Sequence, residues 1–320
     1  MKNPTDLLVK DKAPLQGTRN LGIDFLRVVA AIWVVINHAG RDPYLIAISR
    51  FAIPVFFMIT GYYLLQNKRI LKQVQKILFY IIWSGVLYFF INLTPLKAYL
   101  SFRQNYIWEI FVLDQSPFAL HLWYLQALIK VLLVAWIIKK FSWEWLYKFF
   151  PLLLLPLLLL SNYAFLIGRT PAKMDLTCNA LALGFPWFAI GWLLEHYKDY
   201  TERISNNKLL LVCATSFLTL LLETFFLLNN NQLATKEMYF SLPFFAISLF
   251  LLLQRYEIPL DRHIINRLAA MTPFVYILHM IFIKMHRVLK LPPDIRILFV
   301  LICSILAAAI ITTILAWKRK

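Results

Sequence analysis

The sequence predicts an all-α integral membrane protein with about ten transmembrane helices and both termini on the cytoplasmic side. Hydrophobic residues make up 61% of the chain and charged residues 15%, whereas soluble domains have about 45–50% and about 25%. The apolar residues form runs separated by short basic segments. We therefore expect a basic cytoplasmic segment at 1–20, a single ten-helix membrane domain at 21–317 and a cytoplasmic tail at 318–320.

Ten apolar runs are close to the roughly 20 residues that a helix needs to cross the hydrocarbon core. They lie at 21–39, 45–65, 77–94, 121–138, 149–167, 179–195, 208–229, 238–254, 268–285 and 296–317. The fifth contains PLLLLPLLLL, and its two prolines predict a kinked or partly irregular helix. The first run lacks a small-residue cleavage site, so we expect a retained span and not a cleaved signal.

The distribution of basic residues predicts the orientation. With ten spans and the N-terminus inside, twenty Lys and Arg residues fall in inner segments and eight in outer loops, as the positive-inside rule requires. The net charge of +17 therefore indicates contact with anionic lipid and not with nucleic acid. The eight outer basic residues are Arg41, Lys97, Arg103, Arg169, Lys173, Lys236, Arg287 and Lys290.

Arg27 and His38 lie eleven residues apart in the first apolar run. At about 100° and 1.5 Å per residue, their side chains come within roughly 20° of one helix face and about 16 Å apart along the axis. Polar groups on one stripe of a membrane helix are costly unless they line a polar path. The alternative is that Arg27 snorkels to the inner surface and His38 caps the outer end.

The second span contains RFAIPVFFMITGYYL, which begins with Arg50 at its outer end and holds Pro54 and Gly61. Pro and Gly let a membrane helix bend or let another group approach closely. A simple packing kink would explain these two residues equally well.

Two later segments place histidines near aromatic residues. HLWYLQALIK begins the fourth span with His121 and Trp123, which either contact substrate or belong to an interfacial aromatic belt. In MTPFVYILHMIF, Tyr276 and His279 are three residues apart and share a helix face. A histidine bonded to the tyrosine would be structural, whereas a histidine facing a water-filled path would be functional.

The remaining charged and sulfur-containing residues give weaker signals. The basic segment NKRILKQVQK at 67–76 either anchors the chain on the inner side or clamps phosphates. Lys130 and Glu223 lie inside apolar runs, and the simplest expectation is that they pair with each other or with backbone groups. The three cysteines have no metal or redox spacing, so no metal site is predicted. The long outer loop at 95–120 is of a length that is more often functional.

Taken together and in order, these motifs resemble the acyltransferase-3 family of integral membrane acyltransferases. The Arg27-to-His38 spacing resembles that family's first-span motif, and RFAIPVFFMITGYYL resembles its second-span segment, with Thr60 where Ser is commoner. HLWYLQALI and VYILHMIF resemble its later patterns. The second and third of these motifs are most similar to the branch that forms the membrane half of serine/alanine racemases.

The resemblance implies a plasma-membrane O-acyltransferase that moves an acyl group, usually acetyl, from cytoplasmic acyl-CoA to a hydroxyl of an outer glycan or glycolipid. Acyl-CoA would be a co-substrate, with no permanently bound cofactor, and a second transfer step would need a separate extracytoplasmic partner. The expected catalytic residues are His38 as general base with Arg50, Tyr276 and His279 stabilising the oxyanion or orienting His38. The residues expected to bind the CoA phosphates are Arg27, Lys68, Arg69 and Lys72, and those expected to bind the acceptor are His121 and Trp123.

Two other function classes stay open at this point. The racemase branch is thought to handle amino-acid supply across the membrane, so a transporter or permease for a small polar solute such as an amino acid is the main alternative. Paired broken helices in two equivalent halves would favour transport, and the sequence has no such symmetry. An inactive or regulatory membrane partner is the third class.

Overall fold

The computed structural model describes residues 20–64, 70–92, 106–116, 119–230 and 237–317, which form helices and connecting turns without a β-strand. Short 3₁₀ segments and one π-helical turn, Ala180–Gly184, connect several of the helices. The α-helices are α1 Leu21–Ala39, α2 Pro43–Ser49, α3 Ala52–Tyr62, α4 Ile70–Asn92, α5 Tyr106–Phe111, α6 Trp123–Lys140, α7 Leu154–Leu160, α8 Met174–Thr177, α9 Phe185–His196, α10 Lys198–Glu202, α11 Asn206–Asn229, α12 Leu242–Arg255, α13 Arg262–Val288 and α14 Arg296–Trp317.

Seven segments in the described ranges are long and apolar enough to cross a membrane. They are Leu21–Ala39, Pro43–Tyr62, Ile70–Ile91, Leu120–Lys140, Asn206–Asn229, Arg262–Val288 and Pro293–Trp317. The other three predicted spans correspond to shorter helices. Prolines and 3₁₀ or π turns interrupt the fifth and sixth spans. The eighth predicted span corresponds to α12, which has only 14 residues. The chain is therefore an all-helical membrane protein, while the number of ten spans and the inward N-terminus stay predictions.

Helix α1 begins and ends with defined caps. Asn20 is the N-cap, and its side-chain oxygen accepts a hydrogen bond from the Ile23 amide at 3.0 Å, which satisfies one of the free N–H groups of the first turn. Its side-chain amide donates to the Gln254 carbonyl at 2.7 Å and fixes the start of α1 against α12. Arg27 and His38 both lie on this one uninterrupted helix, as predicted.

The second candidate span is broken into α2 and α3 at Arg50 and Phe51. Pro54 explains the position of the break, because a proline cannot donate to the carbonyl four residues earlier and its ring clashes with that carbonyl. The carbonyl in question belongs to Arg50. The bend predicted from Pro54 is thus present, and Arg50 lies at the corner between the two helices.

Helix α13 tolerates an internal proline, Pro273. The carbonyl that loses its backbone donor is that of Ala269, four residues earlier. The Thr272 hydroxyl donates to this same oxygen at 2.9 Å, which is a common way for membrane helices to satisfy a freed carbonyl. The helix therefore continues through Pro273 to Tyr276 and His279.

The candidate spanning helices form a central, largely buried set and a peripheral set. The central set consists of α1, α2 with α3, α6 and α13. In each of these segments, between 44% and 61% of the residues in the most apolar stretch are buried. The figure is 17% for α4, 22% for α11 and 17% for α14. The large apolar side chains exposed on these three helices are suited to contact lipid. Helix α1 packs against α3, α12 and α13 at the centre.

Helices α3 and α9 cross at two glycines. A Cβ on Gly61 would lie 1.9 Å from the Phe188 carbonyl oxygen, and one on Gly191 would lie 2.0 Å from that of Met58. Only glycine permits such an approach of two backbones. The close approach expected at Gly61 is confirmed, and it holds the α3 helix that follows Arg50 in position.

Of the two alternatives for Lys130 and Glu223, pairing with each other is wrong, whereas bonding to backbone groups is confirmed for both residues. The Lys130 ammonium lies 2.6 Å from a buried Asp114 carboxylate oxygen. Glu223 instead accepts hydrogen bonds from the Phe240 and Ser241 amides, both at 2.9 Å, and from the Tyr163 hydroxyl. Glu223 thus satisfies N–H groups at the start of α12, a role that suits a carboxylate. The charged partner of Lys130, Asp114, comes from the predicted outer loop.

Candidate active site

The predicted catalytic and acceptor-binding residues come together at one end of the bundle. A cavity of about 50 Å³ is lined by His38, Arg50, His121, Trp123 and Tyr276. A cavity of that volume can hold a few water molecules. His38, Arg50, His121 and Trp123 lie at or near span ends that are predicted to be on the outer side, whereas Tyr276 lies near the middle of the ninth predicted span, 268–285. The wall also contains residues that sequence reasoning did not select, among them Ser49, Cys178 and Glu237.

Three histidines from different elements form the centre of the site. The ring centroids of His38 on α1 and His279 on α13 are 5.0 Å apart. Those of His279 and His121, which lies in the 3₁₀ turn before α6, are 5.2 Å apart. Because their contacts span more than 240 residues of sequence, no local pattern predicts this cluster.

Backbone hydrogen bonds define the tautomers of two of these histidines. Nδ1 of His279 lies 2.7 Å from the Tyr276 carbonyl oxygen, and a carbonyl can only accept, so Nδ1 carries the proton. Nε2 of His279 is then a bare lone pair, and it is buried without a hydrogen-bond partner among the described residues. By the same argument, Nε2 of His121 donates to the Ile277 carbonyl at 3.3 Å, which leaves Nδ1 as its acceptor.

Tyrosines fix the surroundings of the histidines. The Tyr276 hydroxyl donates to the His121 carbonyl oxygen, and the Tyr88 hydroxyl donates to that of Ile277 at 2.6 Å. The phenol of Tyr276 therefore bonds to the backbone just before α6 and not to the ring of His279. Tyr276 lines the cavity with its side chain already engaged, which favours a positioning role.

A cation and a carboxylate face each other across the cavity wall. Arg50 Nη1 lies 3.9 Å from Glu237 Oε1, and Glu237 Oε2 accepts a hydrogen bond from the Thr177 hydroxyl at 2.9 Å. Glu237 precedes α12 in a connecting segment, where no periodic signal identifies it. Beside Thr177, burial and the nearby Glu237 carboxylate raise the pKa of the Cys178 thiol well above its usual value, so this thiol stays protonated.

Of the predicted CoA-binding residues that the structure describes, Arg27 and Lys72 do not line this cavity. Arg27 lies toward the other end of α1, where it pairs with the buried carboxylate of Asp24 at 3.1 Å. Lys72 is exposed near the start of α4. Lys68 and Arg69 lie outside the described residues. Arg27 and Lys72 therefore lie toward the opposite end of the bundle, which is the predicted inner side. Along α1, Arg27 is about 16 Å from His38.

Polar contacts hold a segment of the predicted outer loop against helices next to the site. Asp114, with its backbone in the left-handed region at φ 57°, accepts a hydrogen bond from the Ala180 amide at 2.7 Å. The Lys130 ammonium that pairs with Asp114 also donates to the carbonyl oxygens of Ile110 and Phe111 at 3.2 and 2.5 Å. This network ties α5 to α6 and to the π-helical turn that follows Cys178. Elsewhere in this predicted outer loop, Trp108 is exposed, and Arg103 lies outside the described residues.

The match to one known family covers nearly the whole chain. The acyltransferase-3 family, described as an acyltransferase domain, matches residues 20–317, which include every element of the site. The chain belongs to the acyltransferase-3 family. The resemblance inferred from the sequence motifs is thereby confirmed.

Curated relatives in this family carry names from the racemase branch. The chain is 26% identical over 337 aligned positions to an amino-acid racemase of Enterococcus faecalis, covering 93% of this chain and 46% of that protein. It is 28% identical over 266 positions to a serine/alanine racemase of Enterococcus gallinarum, covering 75% of this chain and 38% of the relative. The chain thus spans less than half the length of either relative. No solved structure shows a significant match.

Within the described ranges, no group of three His, Cys, Asp or Glu side chains is arranged to hold a metal ion. The ring of His279 contacts the rings of His38 and His121, and His279 and His121 each use one ring nitrogen on a backbone carbonyl. The cavity wall presents imidazole, guanidinium, carboxylate and hydroxyl groups and the thiol of Cys178.

Proposed function

We propose that the protein is a plasma-membrane O-acyltransferase that moves an acyl group, most simply acetyl, from cytoplasmic acyl-CoA to a hydroxyl of an envelope carbohydrate or glycolipid at the outer face. The observation that carries the proposal is the cluster in which the ring of His279 contacts those of His38 and His121, beside a cavity that His38, His121 and Arg50 line. Membership of the acyltransferase-3 family supports the reaction class.

His38 is the proposed general base. It lines the cavity, and an imidazole is the side chain whose ordinary pKa suits proton transfer near neutral pH. His279 lies beside it with a fixed tautomer, and its bare Nε2 is available to orient an N–H of His38. This arrangement supplies the orienting group that Asp24, at the far end of α1, cannot supply.

In the proposed reaction, His38 takes the proton of the acceptor hydroxyl as its oxygen attacks the thioester carbonyl. The carbonyl oxygen becomes an oxyanion, which Arg50 stabilises from the cavity wall while Glu237 keeps the guanidinium in place. The carbon–sulfur bond then breaks, and the CoA sulfur receives the proton held by His38. The products are the acyl ester and free CoA, so atoms and charge balance without a further reactant.

The donor and the acceptor approach from opposite ends. The basic residues of the predicted inner side, Arg27, Lys68, Arg69 and Lys72, would hold the phosphates of CoA. The thin pantetheine arm would then extend along α1 toward His38, over about 16 Å. His121 and Trp123 would contact the acceptor from the outer side of the same cavity.

The test is CoA release from acetyl-CoA by the purified protein in detergent. His38→Ala should lower turnover by about 10²–10⁴-fold, the usual contribution of a general base, and Arg27→Ala should weaken acetyl-CoA binding. His263→Ala is the matched control, because His263 is an exposed histidine on α13. Equal activity of His38→Ala and His263→Ala would refute the assignment, and a folded wild type that binds no acetyl-CoA would refute the reaction class.

A second candidate function rests on the relatives. Both are named for racemases that act on amino acids, and this chain matches 93% of its own length to one of them. In this alternative the same cavity would pass a small polar solute such as an amino acid. Counterflow of radiolabelled serine or alanine in proteoliposomes, with no CoA release in the same preparation, would favour transport.

A further inference from the structure

A second, larger cavity lies at the same end of the bundle as the histidine cluster. It has a volume of about 220 Å³ and lies between the end of α1, the end of α13 and the start of α14. Its walls include Arg41, Arg287, Lys290, Arg296 and His286. Four side chains that are always or usually cationic thus surround one small space.

These charges lack carboxylate partners in the described part of the chain. No described Asp or Glu oxygen lies within ion-pair distance of Arg41, Arg287, Lys290 or Arg296. Asp42, the residue after Arg41, uses its carboxylate to accept the Leu45 amide at 2.9 Å. Like charges brought together without counter-charges repel, so an anion in this cavity would be strongly favoured.

Arg296 joins this cavity to the active site. Its side chain is buried, with 8% of the residue exposed, and it donates to the Ala39 carbonyl through Nε at 2.6 Å and to the Gly40 carbonyl through Nη2 at 3.3 Å. A guanidinium has five N–H donors, so further donors remain for a ligand. Ala39 directly follows His38, and the floor of the basic cavity is therefore the end of the helix that carries the proposed base.

The loop that closes the cavity is held in a defined conformation. His286 Nε2 donates to the Pro292 carbonyl at 3.0 Å, and the Leu291 amide donates to the His286 carbonyl at 3.2 Å. Lys290 is held in the left-handed region with φ 51°, a conformation that costs a non-glycine residue energy and is common at binding sites. The cations are thus presented by a preformed loop.

The location makes such clustering unexpected on topology alone. Outer loops are depleted of Lys and Arg, and the sequence has eight such residues on its predicted outer side. Three of them, Arg41, Arg287 and Lys290, converge on this cavity. Membrane orientation cannot explain their position, because outward basic residues oppose the predicted orientation.

We propose that this basic cavity binds a phosphate ester presented from the outer side. If this ligand is also the acyl acceptor, the inference rests on the proposed function. It then adds that the acceptor is an anionic, phosphate-bearing glycan or glycolipid. The short distance between the basic cavity and the histidine cluster supports a shared ligand. His286 follows His279 by seven residues, which places the cavity about 10 Å along α13 from the cluster. The same chemistry would also hold an anionic lipid headgroup.

The test measures binding directly, so it does not depend on catalysis. The full-length protein in detergent is titrated with phosphatidylglycerol, with uncharged diacylglycerol as the lipid control, and the bound lipid is counted by native mass spectrometry. In a second arm, glycerol 1-phosphate and glycerol compete for the site. The variant is Arg287→Gln/Lys290→Gln, and the matched control is Arg169→Gln/Lys173→Gln, which removes two exposed charges elsewhere on the predicted outer side.

We expect the cavity variant to lose at least about tenfold in affinity, as for a charge-assisted contact, and the control variant to bind like the wild type. Displacement of the lipid by glycerol 1-phosphate assigns the site to soluble phosphate esters, and binding without displacement assigns it to a lipid headgroup. Absence of binding, or equal loss in the two variants, would overturn the proposal. CoA release measured in parallel keeps the two hypotheses separate, because an inactive protein that binds phosphate refutes only the acyltransferase.

Discussion

The ion pair between Lys130 and Asp114 gives the most quantitative prediction. Asp114 is fully buried, whereas 26% of the Lys130 side chain is exposed. Lys130→Met keeps most of the side-chain volume but leaves the carboxylate with the Ala180 amide as its only other donor among the described residues. We expect the outer loop that contains α5 to lose its attachment to α6.

The magnitude follows from the burial of the remaining charge. Removing one partner of a buried ion pair costs about 3–5 kcal/mol, and the partial exposure of Lys130 places this case at about 3 kcal/mol. At roughly 2 °C per kcal/mol for a chain of this size, the melting temperature should fall by about 6 °C. The double variant Lys130→Met/Asp114→Asn should recover most of this loss, because no buried charge remains.

The assay is thermal unfolding in detergent of the wild type, both single variants and the double variant, at pH 7.5 and at pH 5. Burial already raises the pKa of Asp114, while Lys130 and the Ala180 amide lower it in part. Without Lys130, the folded chain holds a proton on Asp114 at pH values where the unfolded chain has released it. The free energy of unfolding then decreases as pH rises through the folded pKa, so the Lys130→Met defect should shrink at pH 5.

Two results would refute this reasoning. One is a double variant as unstable as Lys130→Met, which would mean that the lysine acts through packing or through the Ile110 and Phe111 carbonyls. The other is a Lys130→Met defect that is equal at both pH values, which would mean that Asp114 is not the group left with an uncompensated charge.

Three further predictions concern the framework of the site. Gly61→Ala and Gly191→Ala should each cost about 1–3 kcal/mol through overpacking and lower the melting temperature, and an unchanged melting temperature would contradict the close crossing of α3 and α9. Glu223→Ala should cost about 3 kcal/mol by leaving the amides that start α12 unpaired, whereas Glu223→Gln should retain part of the stability; equal defects would argue against this capping role. Because burial raises the pKa of Cys178, maleimide should label this thiol slowly at neutral pH. Cys178→Ala should keep wild-type CoA release, whereas a large loss of CoA release in this variant would indicate a covalent thioester intermediate.

The features that sequence predicts well are those with a local cause. Arg27 and His38 share α1 because helical periodicity fixes their spacing. Pro54 determines the break at Arg50 because its effect is confined to one turn. The prolines of the fifth run likewise predict the irregular helix that is found at Phe150–Leu160.

The features that sequence could not predict depend on which helices are neighbours. Two acidic residues, Asp114 and Glu223, could pair with Lys130, and they lie at very different distances from it along the sequence. Only the position of the α5 segment beside α6 selects Asp114. Glu237 reaches Arg50 across 187 residues from a segment without periodicity. The sequence supplied the ionisable residues, but their pairing is a property of tertiary structure.

The most direct test of the central claim is a sided transfer experiment. Proteoliposomes are loaded with radiolabelled acetyl-CoA, and glycerol 1-phosphate is supplied outside as a hydroxyl acceptor, with His38→Ala and His263→Ala as variants. We expect labelled ester in the external solution for the wild type and for His263→Ala, and its loss in His38→Ala. Labelled ester that forms only when donor and acceptor are on the same side, or that persists in His38→Ala, would contradict transfer through the histidine cavity.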